Sequence, residues 1–250
     1  GIHTGDHFQI IFLDTPGIIT PGYLLQKVMM RVAQNAINDA DVILFLVEAA
    51  QKPAPYDMEI LETLKKANKP IILVINKIDL IDRRMLLPFI EDYSKLFPFS
   101  EIIPISALKA INLDDVEKAI ISQIPVGDAF YPTDQITEHP ERFFVSEIIR
   151  GKIFERYADE IPYSVAVVID EFYERAGRKD FIKARIIVER DSQKAIIISK
   201  GGSALKSIGK LSRMEIEQFL GRPVYLELWV TVKEKWRKKE NYLKEFGYEN

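Results

Sequence analysis

The sequence predicts an α/β protein: a parallel sheet with helices on both faces, followed by a smaller α+β domain. Three observations carry this prediction. In residues 1–125, short β-branched apolar runs alternate with helix-length amphipathic stretches, the pattern of strands buried on both faces by crossover helices. Each polar motif of this half directly follows one of those runs, at the carboxyl ends of the strands, where open parallel sheets place ligands. The alternation stops at Pro125; after a stretch holding Gly127, Pro132 and Pro140 the chain resumes with a different order of elements.

Taken in order, residues 8–13, 42–47, 71–75 and 102–105 read as strands from their Val and Ile content, and 24–37, 56–67, 84–96 and 113–124 as helices from apolar residues three and four apart. Residues 126–142 read as a linker. The second half reads as a helix at 144–157, strands at 164–173, 181–190 and 194–198, and a helix at 203–220 with Leu205, Ile208, Leu211, Met214 and Ile216 at helical spacing. A strand at 224–232 and a charged helix at 235–246 complete it. Trp229, flanked by Leu226, Leu228 and Val230, is assigned to the core, and Trp236 to packing of the tail helix.

Composition narrows the function. At 47% hydrophobic residues the chain can bury substantial cores, and with no cysteine it has neither disulfides nor thiolate metal sites. His3, His7 and His139 lack metal-ligand spacing. No apolar run approaches the roughly 20 residues that span a bilayer. A net charge of −3 argues against a general nucleic-acid binder, yet residues 183–213 hold eight basic and two acidic side chains. That local stripe suits one dedicated anionic partner.

Asn76-Lys77-Ile78-Asp79 closes the apolar run Ile71 to Ile75. A carboxylate there can accept two hydrogen bonds, from N1–H and the 2-amino group of guanine, a donor pair that adenine lacks; a charge-assisted bond is worth about 1.5–3 kcal/mol. Asn76 can bridge neighbouring loops, and the stem of Lys77 can lie along the ring. Asp14-Thr15-Pro16-Gly17 follows the first strand: Asp14 can orient Mg²⁺ through a bound water, and Gly17 lets a backbone N–H approach a phosphate. Ser106-Ala107-Leu108 follows the fourth strand, where an N–H near Ala107 can meet the guanine carbonyl.

These motifs, in this order, resemble the G domain of translation-factor-type GTPases over residues 1–125. The resemblance implies binding of GTP or GDP with Mg²⁺ through Asp14, Thr15, Pro16, Gly17, Ile18, Asn76, Lys77, Ile78, Asp79, Ser106, Ala107 and Leu108. Ile18 stands where such proteins often carry a water-orienting Gln; an alkyl group cannot polarise water, so no catalytic residue is assigned. No Gly-x-x-x-x-Gly-Lys-Ser/Thr occurs, which removes the N–H nest, the Lys and the hydroxyl that hold phosphates, and the first switch has no identifiable Thr. The chain therefore reads as a GTPase lacking its N-terminal strand, phosphate loop and first switch, and unable to hold GTP phosphates alone. The alternative is a pseudo-GTPase adaptor that acts through RNA binding only.

Ser199-Lys200-Gly201-Gly202, ahead of the helix at 203, resembles the Gly-x-x-Gly loop of type II K-homology (KH) domains, with Ser199 in place of the first Gly. It implies RNA binding by Ile198, Ser199, Lys200, Gly201, Gly202, Lys206 and Lys210, with Arg185 and Arg190 at the margin. A G domain (1–125) joined to a type II KH domain (143–250) is similar to the Era family of bacterial GTPases. Asp14-Thr15-Pro16-Gly17 and the segments 144–150, 160–165, 187–190 and 225–230 share that likeness. It implies a protein of small-subunit ribosome assembly that binds ribosomal RNA near its 3′ end and the small ribosomal subunit. It further implies a cytoplasmic monomer with peripheral association to the inner membrane.

Overall fold

The apolar runs of the first half become strands ordered by their burial. The computed structural model describes residues 1–49, 53–157 and 160–248, apart from the side chains of residues 83, 160 and 162. They form two units: Gly1–Thr20 with Met30–Thr137, and Pro21–Met29 with Glu138–Asn250.

In the first unit, β3 (Ile43–Glu48), β4 (Ile71–Asn76) and β5 (Glu101–Pro104) make a parallel sheet with β4 at its centre. Residues Ile71 to Ile75 are all buried because both faces are covered. Leu73 and Ile75 pack with Leu61 and Leu64 of α2 (Pro55–Lys65) and Phe89 and Tyr93 of α3 (Leu86–Ser94). Ile72 and Val74 pack with Ala119 and Ile120 of α4 (Leu113–Ile121). Alternate residues of one apolar strand thus serve two cores. The hairpin β1 (Ile2–Thr4) and β2 (Gln9–Ile11) is a separate antiparallel pair, and among the described residues no backbone ladder joins it to the other sheet. Leu46, 58% exposed, lies on β3, one of the two edge strands of this sheet.

The expected linker is shorter than the sequence suggests. Gln9 exchanges two 2.9 Å hydrogen bonds with the backbone of Tyr131, and the Ile2 N–H donates to the Ile136 carbonyl, so residues as far as Thr137 pack with the first unit. Proline content marks loss of regular structure, not loss of contact.

The second unit runs α5 (Glu141–Arg156), α6 (Glu160–Tyr163), β6 (Ala166–Tyr173), β7 (Asp180–Val188), α7 (Asp191–Ile198), α8 (Ser203–Leu220), β8 (Val224–Val232) and α9 (Glu240–Glu245). The sheet order is β6-β7-β8, antiparallel then parallel. Residues 194–198, expected as a strand, are the end of α7. The Ile196-Ile197-Ile198 run favours β structure locally, but Gln193 and Ile197 are buried one helical turn apart. The Gln193 Oε1 also accepts from the Glu189 and Arg190 N–H groups, holding the helix start. Tertiary burial overrides the propensity. The expected tail helix is a 3₁₀ turn at Trp236–Lys238 followed by the short α9.

Helices α5, α7 and α8 cover one sheet face through Val145, Ile149, Ile153, Ile197, Ile208 and Ile216. On the other face, Ala166 and Ile187 are covered by Trp236 and Leu243, together with Leu25 and Val28. Those two residues lie in the first turns of α1 (Leu24–Asp39), a helix whose residues up to Met29 belong to the second unit. Trp229 also points to this face and is 55% exposed, not buried in the core. Leu226, Leu228 and Val230 take the helix-covered side, and strand alternation sends Trp229 the other way.

Buried Asp180 ties the β6–β7 turn to the start of β8. Its carboxylate accepts from the Arg222 side chain and from the Arg175 N–H at 3.0 Å. Burial raises the Asp180 carboxyl, but those two donors outweigh it and hold it below the ordinary carboxylate value. The pair therefore stabilises the fold fully above the unfolded value of about 3.9 and loses that contribution as pH falls through the lower folded value. Asp180→Asn is expected to cost about 2 kcal/mol at pH 7, less than the roughly 3–5 kcal/mol of a fully buried pair, because Arg222 keeps Glu141. Urea unfolding at pH 7 and pH 3 checks this: the gap between parent and variant should shrink at pH 3.

Candidate functional site

Two loops at the carboxyl ends of β4 and β5 are joined side chain to backbone. Parallel pairing brings the Ile105 N–H to the Ile75 carbonyl at 2.8 Å, and the Ile78 N–H to the Ile105 carbonyl at 3.1 Å. Asn76 Oδ1 then accepts from its neighbour Lys77 N–H at 2.7 Å and from Ala107 N–H at 3.0 Å. Lys77 takes a left-handed conformation (φ 64°), which turns the chain sharply into the 3₁₀ turn Ile78–Leu80, and its ammonium pairs with Glu48 at the end of β3. The fully buried Ser106 hydroxyl donates to Asp79 Oδ1 at 2.6 Å and accepts from the Lys109 N–H. Asp79 is exposed, and its second oxygen accepts no hydrogen bond among the described residues.

The Ala107 N–H donates to Asn76, and the neighbouring Leu108 N–H has no partner among the described residues. Asp14, Thr15 and Gly17 are exposed, and among the described residues no hydrogen bond joins 14–17 to the other two loops. Ile18 is half-buried against the cluster that contains Ala49 and Ile75, so its side chain is committed to packing. Asp14 stands as a single exposed carboxylate; the described residues hold no group of three metal-ligating side chains. That suits Mg²⁺, which keeps most of its waters and takes one or two carboxylates beside ligand phosphates.

In the second unit, the Gly-rich loop links the end of α7 to the start of α8. Gly201 (φ 65°) and Gly202 (φ 73°) are both left-handed, and a Cβ added at either would meet nothing within 4 Å, so backbone conformation rather than crowding calls for glycine there. Ser199 takes φ 60°, ψ 177°, a region that L residues rarely occupy, at a cost of about 1–3 kcal/mol. Its hydroxyl offsets part of that cost by accepting from the Ala204 N–H at 2.9 Å, capping α8. Lys200, Lys206 and Lys210 are exposed and form no ion pair among the described residues.

Other expected RNA residues lie elsewhere. Ile198 packs against the core, whereas Ile196 is 49% exposed. Arg190 is exposed at the far end of α7. Arg185 lies on the opposite face of the sheet, paired with Asp170 at 2.9 Å, and is not part of the loop cluster. β7 alternates, and Ala184 and Ile186 take the helix side.

A parallel sheet with helices on both faces, carrying this pair of loops and followed by an α-β-β-α-α-β unit, defines a GTP-binding domain joined to a KH domain. Residues 2–77 match the family of 50S ribosome-binding GTPases, and residues 160–237 match the KH domain family. GTPase Era of Staphylococcus haemolyticus is 46% identical over 248 residues, 99% of this chain and 83% of that protein. A crystal structure of a single-residue variant of Aquifex aeolicus Era bound to GDP·AlF4⁻ superposes with a TM-score of 0.94 at 44% identity, covering 98% of this chain and 84% of that one. A structure of Era in complex with MgGDPNP and nucleotides 1506–1542 of 16S ribosomal RNA gives 0.96 at 44% identity, covering 100% and 85%. The chain belongs to the Era family of GTPases.

Proposed function

We propose that this protein is a GTP-hydrolysing switch that binds small-subunit ribosomal RNA near its 3′ end and assists assembly of the small ribosomal subunit, with GTP or GDP and Mg²⁺ as cofactors. The observation that carries the nucleotide half is the bonded pair of loops. Ser106 holds Asp79, and Asn76 holds Ala107, so the acceptor for the guanine N1–H and 2-amino group and the Leu108 donor for its carbonyl are placed together. Domain roles follow the same division: residues 1–125 for the nucleotide, 143–250 for RNA through the 199–202 loop, Lys206 and Lys210.

Asp14 would hold Mg²⁺, and the ion would neutralise charge at the phosphates. These 250 residues contain no Gly-x-x-x-x-Gly-Lys-Ser/Thr, so they provide the base-reading part and not the phosphate cradle. GTP is accordingly expected to bind them no more than about tenfold tighter than guanosine. Hydrolysis is slow unaided, since packed Ile18 offers nothing to orient water. Among the described residues no helix is long and apolar enough to cross a membrane; any inner-membrane association is peripheral, and the protein works as a cytoplasmic monomer.

Titration with the unpaired 3′-terminal sequence of small-subunit ribosomal RNA tests the reading. Binding at least tenfold tighter than to a scrambled sequence supports it, and equal affinity contradicts it. In a version that also carries a phosphate loop, added small ribosomal subunits should raise the slow hydrolysis rate; an unchanged rate there counts against partner assistance.

A further inference from the structure

The sheet face turned away from α5, α7 and α8 is covered only at one end. At the other end three aromatic rings cross the strands in one row. Tyr173 stacks with its register partner Phe181 (centroids 6.3 Å apart, planes at 19°), and Phe181 stacks with its partner Tyr225 (5.9 Å, 12°). Tyr173 and Tyr225 are 53% and 57% exposed, and they lie on the two edge strands. Each therefore offers an outward ring face at a sheet edge. Core aromatics would be buried; an exposed ladder costs hydration and suits a flat partner.

The charges beside the row identify that partner. On this face Asp170 pairs with Arg185 and Glu171 with Lys183, and Glu227 accepts from the Trp229 Nε1–H at 2.6 Å; at the turn, Asp180 and the exposed Glu174 both pair with Arg222. The β6–β7 turn is cationic. The Arg175 guanidinium lies 4.9 Å from the Phe181 ring centre, and Arg178 and Lys179 are exposed without an ion pair among the described residues. An open cleft of about 530 Å³ runs beside them, lined by Arg175, Arg178, Lys179, Asp180 and Arg222, of which Arg222 is already paired with Asp180, Glu141 and Glu174. Ring faces next to uncommitted cations match unpaired nucleotides, whose bases stack and whose phosphates need cations. A protein partner would leave Arg178 and Lys179 to find their own acids.

We infer that the Tyr173–Phe181–Tyr225 row and the 175–179 turn form a second contact for single-stranded RNA, separate from the Gly-rich loop. The inference rests on the RNA-binding reading above. The row lies by the C-terminal end of α8, and the loop by its N-terminal end, about 27 Å away for 18 residues. One strand touching both must be longer than the loop alone requires.

The test compares the unpaired 3′-terminal small-subunit RNA fragment, plain and with an added oligoadenylate tail, binding to the 250-residue protein by fluorescence anisotropy. The tail should tighten binding at least about fivefold, the effect of one stacked base. Tyr173→Thr with Tyr225→Thr should abolish that gain, and Tyr173→Phe with Tyr225→Phe, which keeps the ring faces, should retain it. Arg178→Glu with Lys179→Glu should lower the gain and flatten its salt dependence. No gain in the parent, or the same gain in the threonine pair, overturns the inference. Failure of the loop reading shows separately, as an unchanged affinity of Gly202→Asp for the plain fragment.

Discussion

Gly202→Asp is expected to weaken binding of unpaired ribosomal RNA by at least about tenfold, a loss of roughly 1.4 kcal/mol or more, while the second unit stays folded. The position is left-handed and open: φ is 73°, and an added Cβ meets nothing within 4 Å. The variant thus carries a backbone strain of about 1–2 kcal/mol but no steric clash. What it changes at the surface is charge. A carboxylate enters a loop whose flanking Lys200, Lys206 and Lys210 are all free to meet phosphates. Gly202→Asn separates the two effects, since Asn and Asp meet the left-handed region about equally and only Asp carries a charge. The Asn variant should keep most of the affinity and the parent's salt slope. An equal loss in both would assign the effect to strain.

Trp236→Ala is expected to be the most destabilising single change, by about 3–5 kcal/mol. The ring is 1% exposed, its Nε1–H donates to the Ser164 carbonyl at 3.0 Å, and Phe246 and Tyr248 pack on it. Removal leaves a cavity between Ala166, Ile187 and Leu243 and takes the indole N–H away from the Ser164 carbonyl. Leu25 and Val28 rest on the same cluster, so the segment 21–29 should loosen with it. Urea unfolding monitors the first effect and amide exchange at residues 24–29 the second. A loss under about 1 kcal/mol, well below the usual cost of such a truncation, would show that the cluster collapses to fill the space.

The chemistry of this chain was more legible than its surfaces. Asn76 to Asp79 and Ser106 to Leu108 could be placed on one rim because continuous apolar strands in a parallel sheet force their ends to the same side. The bond from Ser106 to Asp79 was not legible, because it depends on the register of β4 with β5. Residues 194–198 misled because three isoleucines favour a strand locally, while the helix is decided by burial of Gln193 and Ile197. Trp229 misled because apolar neighbours on both sides hide the alternation that sends it outward, and the same alternation carries Arg185 away from the Gly-rich loop. Trp236 packs with the tail as expected, on Phe246 and Tyr248, but no local pattern announces its burial against Ala166 and Ile187 of the sheet. Proline content marked where the regular alternation stops but not the return of residues 131 and 136 to the first hairpin.

The central claim is that two hydrogen-bonded loops read a guanine ring. Saturation-transfer NMR on the 250-residue protein with guanosine, xanthosine and adenosine tests it most directly, together with Asp79→Asn, which replaces a double acceptor by an amide that donates to the 2-carbonyl of xanthine. The account predicts transfer to guanosine and not to adenosine in the parent, and a preference for xanthosine in Asp79→Asn. Equal transfer to all three nucleosides, or a preference that Asp79→Asn leaves unchanged, would contradict it.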